Sequence, residues 1–149
     1  MSADERPMPL AGPLVIDASA VVEYLVSMTL TDAATRLFHR AADGDIELWA
    51  PDLVYAEAAS ALRKLAQLGA VPGAGASRAV AHLPRLPITA TGTAALMPEV
   101  WRMRDFLTTY DACYVALADA LDATFVTGEQ RLAAELRKRR KRARYLGDL

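Results

Sequence analysis

Short apolar, β-branched runs alternate along this chain with longer stretches of helical periodicity, and this alternation constrains the fold more than any other feature. The apolar runs predict strands at 14–16, 46–49, 87–90 and 123–127, and a short last strand at 144–146. The periodic stretches predict helices at 20–28, 31–44, 51–67, 77–83, 93–106, 111–121 and 129–140. Strands that alternate with helices are typical of a parallel sheet covered on both faces. The sequence therefore predicts an α/β fold with a central, mostly parallel sheet of four to five strands.

The length of the chain, 149 residues, suits a single domain, since typical domains contain about 100–150 residues. We expect residues 1–12 to form a flexible lead and residues 13–149 to form the domain. The N-terminus lacks a signal-peptide pattern, and the charge-free stretches are interrupted by Pro and Gly. The chain has one cysteine, Cys113. These features predict a cytoplasmic protein with neither a membrane span nor a disulfide framework.

Four carboxylates occur near the predicted strand ends, where the ligand site of an open α/β sheet lies. Asp17 follows the first strand and Glu129 follows the fourth. Glu57 lies on the helix after the second strand, and Asp111 begins the helix that leads into the fourth. The predicted fold could therefore bring four acids from distant parts of the chain to one edge of the sheet.

Helix capping is an alternative explanation for most of these acids, since Asp, Ser and Thr are favoured at helix N-termini. The sequence contains these candidate caps and capping pairs: Asp17 and Ser19 before the helix at 20–28, Thr108 with Asp111, and Thr127 with Gln130. Glu129 near a helix start would complement the helix dipole. Capping does not account for Glu57.

Glu57 lies on the apolar stripe of its helix, beside Leu53, Val54, Ala61 and Leu65, with no Lys or Arg within one turn on that face. A buried, unpaired carboxylate is very costly, so a proton, a cationic partner or a metal must neutralise it. A divalent cation would neutralise a whole cluster of acids, and their hard oxygen atoms favour Mg²⁺ or Mn²⁺. Such a site predicts metal-assisted hydrolysis of phosphodiesters.

Charge is distributed unevenly along the chain. Residues 137–149 contain seven Lys and Arg and one acid, and so carry +6, whereas the other 136 residues carry −7. The basic segment 137–144 has two interpretations. It is either a solvated helix end that complements the helix dipole, or a strip that binds RNA phosphates through Arg139, Arg140 and Arg142.

The cysteine, the two histidines and the glycine-rich loop are predicted to have structural rather than catalytic or ligand-binding roles. Cys113 has no His in its local pattern, which predicts a small core residue rather than a nucleophile. His39 and His82 are 43 positions apart and are predicted to lie on helix surfaces. No GxGxxG pattern or phosphate-binding loop accompanies the glycines at 73–75.

Four motifs together resemble the PIN-domain ribonucleases, and among them the VapC-type toxins of bacterial toxin–antitoxin modules. They are LVIDASAVVEYL at 14–25, WAPDLVYAEAASALRKL at 49–65, LTTYDACYVALADAL at 107–121 and FVTGEQRLA at 125–133. The resemblance implies a three-layer α/β/α fold and a Mg²⁺- or Mn²⁺-dependent endoribonuclease. It also implies an RNA substrate, a cognate VapB-type antitoxin, a homodimer and a toxin–antitoxin hetero-oligomer.

The resemblance assigns roles to individual residues. Asp17, Glu57 and Asp111 match the first, second and third acids of the family's metal site, Glu57 directly or through a water. Glu129 stands where the family usually has Asp in a T-x-D pattern, so its extra methylene implies a water-mediated role or an altered geometry. Ser19 and Thr127 match the hydroxyl residues that lie beside the family's metal site and support it. The basic run 137–144 is a departure from the family, which usually ends in a short apolar segment.

Two other functions remain open from the sequence. One is a PIN-like module that binds RNA or protein through an impaired metal site, with Glu129 as the cause of the impairment. The other is a haloacid-dehalogenase-type phosphatase with Asp17 as the nucleophile. That phosphatase family normally has a second Asp two residues later, where this chain has Ser19.

Overall fold

The computed structural model describes residues 10–149, and within them one five-stranded sheet forms the centre of the fold. The strands are β1 (Gly12–Ile16), β2 (Ile46–Pro51), β3 (Ile88–Thr91), β4 (Thr124–Thr127) and β5 (Ala143–Tyr145). Their order is β3-β2-β1-β4-β5, and every neighbouring pair is parallel. The predicted α/β fold with a parallel central sheet is confirmed.

The described residues include only the end of the predicted N-terminal lead. Residues 1–9 of the predicted lead at 1–12 lie outside the described residues. Strand β1 begins at Gly12, the last residue assigned to the lead. The division of the chain into a lead and a domain stays a prediction.

Seven α-helices cover the sheet in the described part of the chain. They are α1 (Ala18–Leu25), α2 (Thr31–Ala42), α3 (Leu53–Gln67), α4 (Gly73–His82), α5 (Met97–Arg102), α6 (Thr109–Ala120) and α7 (Gln130–Lys138). Right-handed crossovers place α1–α4 on one face and α5–α7 on the other. Contacts of α1 with α2 and α3, of α3 with α4, and of α5 with α6 agree with this arrangement. The molecule therefore has three layers, α/β/α.

The core lies on both sides of the central strands. Leu14, Val15 and Ile16 of β1 are fully buried, as expected for a parallel strand with helices on both faces. Helix α6 packs against β1, β2 and β4, and its residues 112–118 are all buried. The nearly continuous apolar character of this helix follows from its central position, and it fixes the end of α6 that carries Asp111.

Several helix boundaries differ from those predicted. Helix α1 covers Ala18–Leu25 rather than 20–28, so Ser19, a predicted cap, lies inside the helix. Helix α3 begins at Leu53 because Pro51 still belongs to β2. Helix α4 begins at Gly73 rather than Ser77, since the packing of α4 on α3 offsets the modest intrinsic cost of glycine in a helix. The predicted helix at 93–106 is divided into a 3₁₀ turn at Ala94–Leu96, the short helix α5, and turns from Met103 to Leu107.

The direction in which the chain crosses the sheet changes at β1. From β1 the chain moves outward to β2 and β3, and then returns to form β4 on the other side of β1. The carboxyl ends of β1 and β4 thus border a crevice, the usual ligand site of an open α/β sheet. No helix among residues 10–149 combines the length and the apolar character needed to cross a bilayer.

Candidate active site

Asp17 lies at the carboxyl end of β1, where it both caps α1 and enters the crevice. Its Oδ1 accepts hydrogen bonds from the Ala20 backbone N–H at 3.2 Å and from the Ser19 hydroxyl at 2.5 Å. Its Oδ2 accepts one from the Thr127 hydroxyl at 2.5 Å. Only 6% of Asp17 is exposed, and this burial raises the pKa of its carboxyl despite the three donors. The predicted cap at Asp17 is confirmed.

The two supporting hydroxyls tie the end of β1 to the end of β4. Each donates to Asp17 and accepts from a backbone N–H: Ser19 from Gly128 at 2.8 Å, and Thr127 from Glu129 at 3.0 Å. A Cβ at Gly128 would lie 2.9 Å from the Ser19 Oγ, so this close approach requires glycine. Because both hydroxyls use a donor and an acceptor, they hold the Asp17 carboxylate in one orientation.

The predicted capping pair of Thr127 with Gln130 is not formed as expected. The Thr127 hydroxyl accepts from the Glu129 backbone N–H instead. Glu129 is itself the N-cap residue of α7, and its side chain makes no capping hydrogen bond. The Glu129 carboxylate is therefore left at the mouth of the crevice. Partial desolvation, together with the charges of Asp17 and Asp111, raises its pKa.

Glu57 is half-buried on α3 and is held by a residue that sequence reasoning missed. The Tyr114 hydroxyl of α6 donates to Glu57 Oε1 at 2.7 Å. Burial raises the pKa of Glu57, the Tyr114 hydrogen bond lowers it, and the charges of Asp111 and Glu129 raise it further. Tyr114 is only 1% exposed, and its own phenol pKa is raised, first by burial and then by Glu57. The hydroxyl of a buried tyrosine needs a hydrogen-bond partner, and this need is the sequence feature that could have indicated a role for Tyr114.

Asp111 lies in the first turn of α6, and its charge acts on the other three acids. The Thr108 side chain accepts from the Asp111 backbone N–H at 3.1 Å, so the predicted Thr108–Asp111 capping pair is confirmed. Burial raises the pKa of the half-buried Asp111 carboxyl, and hydrogen bonding to Thr108 lowers it. Capping and entry into the crevice are compatible, because a carboxylate that bonds to Thr108 keeps further acceptor positions on its two oxygens.

The structure brings the four predicted acids within electrostatic reach of one another. The charge of Asp111 raises the pKa of Asp17, Glu57 and Glu129, and the charge of Glu129 raises that of Glu57. The ion pairs between described residues involve other acids, namely Glu99, Asp119, Asp122, Glu135 and Asp148. Within residues 10–149, no three His, Cys, Asp or Glu side chains stand close enough together to hold a metal as they are placed.

The predicted basic strip is divided by its contacts. The Arg139 guanidinium lies 4.0 Å from the ring centroid of Phe106 and pairs with Glu135. Arg142 pairs with Asp122, at the start of β4 and away from its carboxyl end. Arg140 has a left-handed backbone conformation, with φ of 61°. Local acids thus offset part of this charge, and RNA binding by the three arginines stays a prediction.

The other chemistry-bearing side chains lie where the sequence predicted. Cys113 is buried in α6, and burial raises the pKa of its thiol. His39 on α2 and His82 on α4 are exposed. The assignment of these residues to the core and to helix surfaces is confirmed.

Comparison with known proteins identifies the family. A family model for the PIN domain matches residues 14–138. Ribonuclease VapC9 from Mycobacterium tuberculosis is 38% identical over 120 residues, which cover 80% of this chain and 88% of that protein. The chain belongs to the PIN-domain family of VapC ribonucleases. The resemblance carried by the four sequence motifs is confirmed.

Solved structures share the architecture of this VapC-type chain. PAE2754 from Pyrobaculum aerophilum superimposes with a TM-score of 0.65 at 27% identity, over 92% of each chain. VapBC2 from Rickettsia felis, solved bound to a DNA fragment from their promoter, gives a TM-score of 0.64 at 11% identity. That alignment covers 89% of this chain and 98% of the other. At this identity the Rickettsia structure supports the fold alone.

The donor set at the crevice fits a divalent metal of the kind on which VapC-type nucleases depend. The four carboxylates lie within electrostatic reach of one another, burial raises the pKa of each, and none of them forms an ion pair among the described residues. Hard oxygen donors suit Mg²⁺ or Mn²⁺, whereas thiolate and imidazole donors that favour zinc are absent from this cluster.

Proposed function

We propose that this protein is a divalent-metal-dependent endoribonuclease that acts as the toxin of a toxin–antitoxin pair. The observation that carries the proposal is the convergence of Asp17, Glu57, Asp111 and Glu129 at the β1/β4 crevice of a VapC-type fold. Their mutual electrostatic repulsion is the property that a bound divalent cation would relieve. The substrate class is RNA, whose phosphodiester bonds this donor set is suited to hydrolyse.

Asp17 and Asp111 would hold the metal directly, and Glu57 and Glu129 directly or through water. Mg²⁺ is the proposed ion, with Mn²⁺ as the alternative. When bound, the metal supplies a Lewis acid at the scissile phosphate and a more acidic water as the nucleophile. The chain's own hydroxyls prepare this site, because Ser19 and Thr127 fix both oxygens of Asp17. Tyr114 orients Glu57 and favours its ionised form.

The same carboxylates would control entry of the substrate. Without a cation, up to four negative charges would repel an incoming phosphodiester. Neutralisation by a metal would remove this barrier, so metal binding would promote RNA binding as well as hydrolysis. Glu129 is the exposed member of the four acids, so any negative charge left on it would lie nearest to the incoming phosphodiester.

The proposed partner is a cognate VapB-type antitoxin, which would hold the toxin inactive in a hetero-oligomer. The relationship to VapC ribonucleases carries this choice of partner, and the Rickettsia neighbour was itself solved as VapBC2. A homodimer and a cytoplasmic location complete the proposal, in keeping with the family resemblance. Co-expression with an antitoxin encoded beside this chain, followed by co-purification and light scattering, tests both assemblies.

Cleavage of end-labelled RNA by the purified protein, with Mg²⁺, with Mn²⁺ and with EDTA, tests the activity. We expect cleavage that EDTA abolishes, and a loss of roughly two orders of magnitude or more in Asp17→Asn and Asp111→Asn. Asp119→Asn is the matched control, since Asp119 lies on α6 as well but pairs with Lys141 far from the crevice. Wild-type rates in a folded Asp17→Asn protein would refute the site. RNA binding without cleavage in any divalent metal would instead favour an impaired binding module.

A further inference from the structure

Two large aromatic side chains are strongly exposed on the face of the molecule formed by α5–α7. Trp101 near the end of α5 is 67% exposed, and Tyr110 in the first turn of α6 is 64% exposed. Single exposed apolar residues are common on protein surfaces. Here, however, both rings lie within a ten-residue stretch that leads directly to Asp111 of the candidate site.

Arginine side chains stack on aromatic rings along this stretch. The Arg104 guanidinium lies 4.9 Å from the centroid of the Trp101 ring, and its Nη1 donates to the Trp101 carbonyl at 2.9 Å. Arg104 forms no ion pair within the described residues. Arg139 covers the Phe106 ring in the same way. The two stacks place positive charge beside exposed π-surfaces without burying the charge.

We call these five residues the aromatic–arginine patch: Trp101, Arg104, Phe106, Tyr110 and Arg139. Four of them belong to one continuous segment, and Arg139 joins them through its contact with Phe106. Asp105 is the single acid between 101 and 110. The patch therefore extends from the residue before Asp111 to the end of α7, and it links the basic segment to the candidate site.

We propose that the aromatic–arginine patch binds a single-stranded segment of the RNA substrate next to the scissile phosphate. Bases would stack on Trp101 and Tyr110, and phosphates would contact Arg104 and Arg139. Proteins bind single strands through this combination, since every base has a π-face and every nucleotide a phosphate. The inference rests on the proposed function, because it takes RNA as the substrate of the crevice.

The charge distribution favours RNA over an acidic protein as the occupant. An acidic surface would satisfy the arginines but would gain little from the two exposed rings. RNA uses both features, and it also needs an attractive surface outside the crevice, where the carboxylates repel phosphate. Arg104, which forms no ion pair among the described residues, is best suited to this role, whereas Arg139 pairs with Glu135 and Arg142 with Asp122.

Tryptophan fluorescence tests the stacking step directly. The chain has two tryptophans, Trp49 and Trp101, and only Trp101 is strongly exposed. Oligo(U) of about twelve nucleotides, a length within the range that single-strand sites accept, is titrated with Mg²⁺ into the full-length protein carrying Asp17→Asn, which slows cleavage. We expect quenching in this protein and after a further Trp49→Phe substitution, and its loss after a further Trp101→Phe substitution. Undiminished quenching in Trp101→Phe would contradict the proposal.

Affinity and its salt dependence test the rest of the patch. By fluorescence anisotropy, Trp101→Ala and Tyr110→Ala should each weaken oligo(U) binding about tenfold. Arg104→Gln and Arg139→Gln should each reduce the slope of log affinity against log salt by roughly one unit or less. Leu68→Ala, which removes a side chain from a residue that is 71% exposed at the end of α3, is the matched control and should change neither quantity.

Cleavage assays separate failure of this inference from failure of the proposed function. If wild type cleaves RNA and the patch variants bind and cleave it like wild type, the patch inference alone is wrong. If wild type cleaves no RNA but oligo(U) binding still depends on the patch, the nuclease proposal fails and the patch remains supported. A patch variant that alters the oligomeric state in light scattering, with unchanged RNA affinity, would show a self-association surface and overturn the proposal.

Discussion

At the scale of single residues, Asp17 shows how closely the fold and the candidate site depend on the same atoms. Its Oδ1 accepts from the first turn of α1, while both oxygens accept from hydroxyls that join β1 to β4. An amide at this position would place an NH₂ group against a hydroxyl that now donates. Because Asn caps helices about as well as Asp, α1 should stay capped in Asp17→Asn, and its loss of activity should occur in a folded protein, which urea denaturation checks.

Tyr114 gives a prediction about pH dependence. Tyr114→Phe removes the hydroxyl that donates to Glu57 Oε1 and lowers the pKa of Glu57. The Glu57 pKa should therefore rise, and the protein should require a higher pH to ionise this carboxyl. We expect the acidic limb of the pH–rate profile for RNA cleavage to shift to higher pH in Tyr114→Phe, with the largest loss of rate at low pH.

Tyr55→Phe is the control for this variant, because Tyr55 also lies on a helix of the core but makes no hydrogen bond to the four acids among the described residues. Its pH–rate profile should match that of wild type. An acidic limb that stays in place in Tyr114→Phe would show that the Tyr114 hydroxyl does not tune the ionisation of Glu57.

The acids of the candidate site could be predicted from the sequence, but their hydrogen-bond partners could not all be. Asp17 and Asp111 follow from their positions beside strand and helix ends, and Glu57 from an acid on an apolar stripe. Tyr114 could not be assigned, because its partner is 57 positions away and the ring also fits an ordinary core position. Pairing across distant elements depends on packing that local patterns do not encode.

At the scale of elements, the start of α7 offers a test of the departure at position 129. Glu129 is the N-cap residue of α7 and makes no capping hydrogen bond, whereas Asp is among the best N-cap residues. Glu129→Asp should therefore cap α7 and raise the free energy of unfolding by about 0.5–1 kcal/mol. Urea denaturation followed by circular dichroism measures the change.

Glu135→Asp provides the comparison for this substitution, since it shortens an acid by one methylene in the interior of the same helix. It should lower stability slightly, because Asp is a poorer helix former than Glu and Glu135 pairs with Arg139. Equal effects of the two substitutions would exclude capping as the cause. RNA cleavage by Glu129→Asp would also show whether the longer side chain limits the candidate site.

The order and type of the elements were predictable, while several helix boundaries were not. The strand at Ala143–Tyr145 is only three residues long, yet the sequence predicted a strand there. The segment at 93–106 has helical spacing throughout, but only Met97–Arg102 forms an α-helix. Periodicity identifies the face that packs, and the local hydrogen bonds that break a helix into turns are weaker signals.

At the scale of the whole molecule, the acidic crevice predicts how stability varies with pH. Burial raises the pKa of all four acids above their unfolded values, and neighbouring charges raise those of Asp17, Glu57 and Glu129 further. The folded protein then binds more protons than the unfolded chain between those values. Linkage requires stability to fall as the pH rises through this window. In metal-free buffer, Tm should therefore increase by a few degrees as the pH is lowered from about 8 to about 5.

Addition of a divalent cation should reverse the loss at neutral pH. If Mg²⁺ or Mn²⁺ occupies the folded site as proposed, and does not bind the unfolded chain, it should raise Tm in a concentration-dependent way. Asp111→Asn should be more stable than wild type in EDTA and should gain less from the cation. Asp119→Asn should behave like wild type. A Tm that is independent of metal in wild type would argue against a metal site in the crevice.

The sheet order and the placement of charge could not be obtained from the sequence. Alternating elements specify a parallel α/β sheet, but the side on which β4 pairs with β1 depends on long-range packing. The sequence revealed an acidic body and a basic end. Only the structure shows that basic side chains of this end contact Asp119, Asp122 and the Phe106 ring. Whether this tail binds RNA phosphates as one strip stays a prediction.

The parallel sheet has a consequence for any experiment that uses an inactive variant. Because all strands point the same way, α1, α3, α6 and α7 begin at the same edge and direct the positive ends of their dipoles toward it. The acids reverse this underlying attraction for anions. When the acids are replaced by amides, the N-termini of these helices should attract phosphate. A catalytically inactive variant should therefore bind RNA more tightly than the active enzyme, and its affinity would overestimate that of the wild type.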